Sequence, residues 1–168
     1  GEGTGTAEDA VVAEAFVSDV CGVMVSLQAG TQRMGRRMVK KMQGADSPKE
    51  AGQTLAGSLE DYARRVDRAI EEVEAVGVPD VDNGREAADR LTSFLADMKS
   101  AFEGAAERVR KLPTGSPEQF GRGVQRIFTS FSTRVELITQ PLEEAEFGSA
   151  PLEEAAGDDP TCRQLERL

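Results

Sequence analysis

One short pattern, used twice, constrains this chain more than any other: Ser47-Pro48-Lys49-Glu50 and Ser116-Pro117-Glu118-Gln119. Each sets a serine N-cap, a proline at the first helical position and an acid or amide three residues after the cap. Around these starts, apolar residues recur at three- and four-residue steps, the stripe of an amphipathic helix. A first segment, residues 7–43, carries Val12, Phe16, Val20, Val23, Leu27, Met34 and Met38 on one face, with Thr6 and Asp9 as its cap. A second carries Leu55, Leu59, Tyr62, Val66, Ile70 and Val73, close to a heptad seam, and stops at Gly77-Val78-Pro79. A third begins near 82–84 and runs through Leu91, Leu95, Met98, Phe102, Ala105 and Val109 to Pro113. The fourth carries Phe120, Val124, Ile127, Phe131, Val135, Ile138 and Leu142, with a kink or break expected at Pro141. Strand-like alternation is missing throughout.

Short connections between long amphipathic helices favour antiparallel neighbours. The predicted fold is therefore all-α: an antiparallel four-helix bundle, up-down-up-down, with a short helical C-terminal tail tied to helix 1. Residues 1–6 read as a flexible leader, 7–146 as the bundle, and 147–168 as a tail of the same domain. Ser149-Ala150-Pro151 and Asp159-Pro160 look like starts of one- or two-turn helices. Such a tail is expected to climb beside the first helix, cover Val12 and Phe16, and bring Cys162 to Cys21.

The chemistry is bounded by what is missing. Among 168 residues there is no histidine and no tryptophan, so the commonest general base and the commonest metal ligand are both gone. Cys21 and Cys162 are either a structural disulfide or two free thiols. The disulfide is the preferred reading, because no histidine stands ready to activate a thiol. A disulfide in turn places the chain outside the reducing cytoplasm. A net charge of −10 argues against nucleic acid as a partner. No apolar run approaches the roughly 20 residues of a membrane span.

Two surface features of the first helix have competing readings. Arg33, Arg36, Arg37, Lys40 and Lys41 either match the helix dipole as solvated charges or form a contact patch. Met34, Met38 and Met42 stand one turn apart. They either fill a core or hold Cu(I) through thioether sulfurs, and no other metal or cofactor is expected. The acidic run through Glu143, Glu144, Glu146, Glu153, Glu154, Asp158 and Asp159 reads as a solvated acidic surface.

Several of these motifs, taken in order from Cys21 onward, resemble a group of small secreted or lipid-anchored helical proteins of high-GC actinobacteria. The resemblance is carried by Cys21 on the first helix and by Pro160-Thr161-Cys162 followed by Leu165. The turn from Gly77 to Gly84 supports it, as does Leu112-Pro113 followed by Ser116-Pro117-Glu118-Gln119-Phe120. It implies a fold and a compartment, not a mechanism, and the methionine-rich first helix departs from the more aromatic one of that group. The Gly/Thr-rich opening is similar to the linker after a lipoprotein's anchor cysteine, which suits a lipid anchor upstream of residue 1.

The expected function is that of a non-catalytic, extracytoplasmic helical-bundle binding protein of the cell envelope, such as an accessory subunit of a larger complex. It would be a monomer or weak oligomer with an envelope or secreted protein as partner. The alternative is a carrier of a small apolar ligand between the helices, which requires an enclosed apolar cavity.

Overall fold

A computed structural model describes residues 10–144 and 147–167. In chain order the elements are β1 (Ala10–Val11), α1 (Ala13–Gln43), α2 (Pro48–Val76), β2 (Val78–Pro79), α3 (Gly84–Arg110), α4 (Pro117–Glu144), α5 (Ala150–Asp158) and α6 (Pro160–Glu166). The protein is all-helical apart from the two-residue parallel pairing of β1 with β2.

The capping chemistry is in place at the predicted starts of α2, α4 and α6, whereas Ser149 makes no side-chain cap bond at α5. Ser47 Oγ accepts from the Glu50 N–H at 3.2 Å, and the Glu50 carboxylate accepts from the Asp46 N–H at 3.1 Å. Ser116 Oγ accepts from the Gln119 N–H at 3.3 Å. At α6 the Asp159 carboxylate takes the N–H groups of Thr161 and Cys162 at 2.9 and 3.0 Å, leaving fewer orphan donors on a helix only seven residues long. Gly77 adopts φ 95°, the positive-φ conformation expected at the end of α2.

One boundary expectation is corrected and a second is narrowed. The first helix starts at Ala13, not at residue 7, because Ala10 and Val11 are extended and pair with Val78 and Pro79. The Asp80 N–H donates to the Val11 carbonyl at 2.7 Å. Val12 is therefore an extended N-cap, 63% exposed, and not a core residue. Further along, α4 runs through Pro141 to Glu144 with no break. Proline near the end of a helix forfeits few backbone bonds, and the Arg90 guanidinium donates to the Pro141 carbonyl. The predicted leader, the Thr6–Asp9 cap and Leu168 lie outside the described residues.

Two hydrophobic cores divide the interior. The first takes Phe16, Val17, Val20 and Cys21 from α1, Val66, Ala69 and Val73 from α2, Ala87, Leu91 and Leu95 from α3, and Phe147, Leu152, Ala156 and Cys162 from the tail. The second is built on Leu55, Ala56, Leu59 and Tyr62 of α2, Ala105, Ala106 and Val109 of α3, and Ile127 of α4. The first core thus joins the starts of α1 and α3 to the end of α2, and the second joins the start of α2 to the end of α3 and to Ile127 of α4. Packing joins α1 to α2, α2 to α3 and α3 to α4, while the other flank of α1 is taken by α5 and α6.

The fourth predicted stripe is only half used. Ile127 is buried, but Phe131, Val135, Ile138 and Leu142 are half-buried and Leu137 is 65% exposed. Beside the first core, the tail occupies the wall that a full-length α4 would have formed. Cys21 and Cys162 are bonded there, with Cα atoms 5.1 Å apart across 141 residues of sequence. By the loop-entropy model a closure of that length stabilises the fold by up to about 5 kcal/mol.

Candidate functional site

The last three turns of α1 present Arg33, Arg36, Arg37, Lys40 and Lys41 to solvent. None of the five forms an ion pair among the described residues. Val39, 53% exposed, sits among them as an apolar centre. The opposite face of the same turns carries Met34, Met38 and Met42, half-buried against the second core. Flexible thioethers filling an irregular boundary account for that placement. A Cβ on Gly35 would stand 3.2 Å from the Tyr62 hydroxyl, so the missing side chain lets α2 approach α1 here.

Charge is distributed very unevenly. Residues 31–62 and 100–134, which wall the second core, hold twelve basic and seven acidic residues, a net of +5. The rest of the sequence holds eight basic and twenty-three acidic residues, a net of −15. The overall charge of −10 therefore conceals a cationic end, and the α1 basic run is part of it. In the acidic remainder, Asp158 and Glu154 of the tail are exposed, as are Glu71, Glu72 and Glu74 at the end of α2.

Sequence reasoning passed over a second cationic surface. Arg122, Gln125, Arg126, Thr129 and Ser130 of α4, with Arg108 of α3, line an open groove of about 590 Å³. A legible signal was there: residues 119–135 contain three arginines and no acid. Elsewhere four bases have acidic partners. Lys99 meets Asp67 at 3.0 Å, Lys111 meets Glu107 at 3.0 Å, and Arg110 and Arg64 pair with Glu60 and Asp61. The hydrogen bond and charge of Asp67 raise the Lys99 pKa, and burial raises that of the Tyr62 phenol.

The described hollows are surface grooves with charged or polar rims. One of about 380 Å³ is lined by Glu74, Arg85 and Asp89, and one of about 520 Å³ by Lys49, Gln53 and Arg110. These are not the enclosed apolar cavity that a carrier would need. Among the described residues no three His, Cys, Asp or Glu side chains converge as a metal cage, and no helix is long and apolar enough to cross a membrane. The chain matches no protein-family model, no curated protein and no solved structure.

Proposed function

We infer that the protein is a non-catalytic, extracytoplasmic binding module of the cell envelope. It is read as an up-down-up-down helical bundle with a disulfide-tied tail, acting as an accessory subunit of a larger complex, as a monomer or weak oligomer. The cysteine pair supports the compartment, since such bonds persist in oxidising surroundings. A lipid anchor upstream of residue 1 and kinship with secreted actinobacterial proteins belong to the same reading. The observation that carries the binding role is the cationic patch on α1, unpaired among the described residues and centred on the exposed Val39. Opposed fields of this kind orient an approaching partner and speed its encounter. The expected partner is an envelope or secreted protein with an acidic docking face.

A photo-crosslinking side chain at Val39 tests this in the native host. The expected result is repeated recovery of one envelope protein, lost when Arg36, Arg37, Lys40 and Lys41 are changed to glutamate. A crosslinker at the exposed Glu74 serves as the control and should not capture that protein. Equal capture at both positions, or two free thiols in the secreted material, would overturn the reading.

A further inference from the structure

The arginine groove on α4 has a chemistry of its own, separate from the α1 patch. Along α4, positions 122, 125, 126, 129 and 130 follow one another at helical steps and share one face. The apolar stripe of Phe120, Val124 and Ile127 lies on the far side of the helix. An exposed face of this kind usually interleaves acids with bases, and α2 and α3 do so. Here the interleaving residues are an amide and hydroxyls. Arg108 reaches the same groove from the last turns of α3 and adds a third guanidinium. Among the described residues none of the three has a carboxylate within ion-pair distance.

The donor set narrows the ligand. The Thr129 hydroxyl is engaged, donating to the Gln125 carbonyl at 2.9 Å. The donors left to a ligand are three guanidinium forks, the Gln125 side-chain amide and the Ser130 hydroxyl, and no carboxylate lines the groove. Each fork matches two oxygens of an oxyanion. A carboxylate offers only two oxygens and one charge, too few for three forks. A phosphate monoester offers three free oxygens and a charge near −2 at neutral pH. The net −15 of the remaining sequence repels any long polyanion that would run beyond this end of the molecule. We propose that the groove formed by Arg108, Arg122 and Arg126 with Gln125 and Ser130 is a binding site for a phosphate monoester, either a soluble one or the headgroup of a lipid that ends in a phosphomonoester. This inference does not depend on the envelope reading or on the α1 patch.

Glycerol phosphate, a soluble monoester, followed by calorimetry and by the arginine side-chain resonances, probes the soluble source. Phosphatidic acid vesicles, with phosphatidylcholine vesicles as control, probe the headgroup source. The double variant R122Q/R126Q should weaken whichever probe binds by about tenfold or more, the loss expected for two charge-assisted contacts. S130D, which places a carboxylate in the groove, should abolish binding. R36Q/R37Q, equally cationic but on α1, should change it less than twofold. All these positions are exposed, and an unchanged thermal transition confirms that each variant is folded. Failure of both probes to bind the wild-type chain overturns the proposal. Equal losses in R122Q/R126Q and R36Q/R37Q also overturn it, because they would reduce the effect to bulk charge. Because the Val39 crosslink reports only on α1, the two experiments fail separately.

Discussion

The two cores use the same three helices and differ in their fourth wall. Beside the second core that wall is α4, 28 residues long, whose Phe128 and Phe131 extend a chain of rings from Tyr62 and Phe102. Centroid separations along it are 5.2, 5.0 and 6.1 Å. Beside the first core the wall is α5 and α6, nine and seven residues. Helices so short do not hold together on their own in water. Electrostatics opposes their docking as well: α1 from Ala13 to Gln32 carries Glu14 and Asp19 and no base, and residues 147–162 carry four acids and no base. A long helix closes a core through its own cooperativity and apolar stripe. A short acidic strap needs proline starts, the Asp159 cap and a covalent bond.

Cutting the bond should therefore produce the largest effect and confine it to one side. Reduction, or the double variant C21S/C162S, should cost up to about 5 kcal/mol in urea unfolding. Hydrogen-exchange protection should fall first in the tail and in the opening turns of α1, and last around Leu55–Tyr62. Uniform loss across both cores would break the contrast. A smaller cavity effect sharpens it. Leu152→Ala, at a fully buried tail position, should cost about 3 kcal/mol with the bond intact, and clearly less once C21S/C162S has loosened the strap. Ile127→Ala should cost a similar amount in either background. The double-mutant cycle measures the coupling directly. At about 1 kcal/mol each, Ser47→Ala and Ser116→Ala remove caps of α2 and α4 and should be indifferent to reduction.

Helix number and the boundaries after the first helix start were legible because they depend on local chemistry: serine caps, first-turn prolines, Gly77 and the apolar spacing. The cysteine pairing was legible because both thiols had only one structural use. Tertiary allocation was legible only for the tail, expected beside α1, and not for α4. The stripe from Phe120 to Leu142 is continuous in sequence, and nothing local says that Phe147 and Leu152 will displace its second half from the first core. Val12 looked like stripe because a helical period ignores the possibility of an extended start, which the Asp80 N–H and Val11 carbonyl stabilise. The candidate surfaces divide the same way. The α1 basic run was visible as consecutive charges, whereas the α4 groove needs Arg108 from another helix and shows in sequence only as a run without acids.

The subtlest test uses the single tyrosine in a chain without tryptophan, so phenolate absorbance reports one residue of the second core. Tyr62 is buried beside Phe102, and burial raises its phenol above the ordinary 10.0, because the charged phenolate is poorly solvated there. A raised folded value means that the folded state favours the neutral phenol. That contribution to stability is complete below pH about 10 and is lost as pH rises through the raised value. Spectroscopic titration should therefore give a midpoint above 10 in the native protein and the ordinary value in denaturant. Reduction of Cys21–Cys162 should leave the native midpoint in place, since the bond closes the other core. A midpoint that falls to the ordinary value on reduction would mean that the second core opens with the first, and that α4 depends on the strap as fully as α1 does.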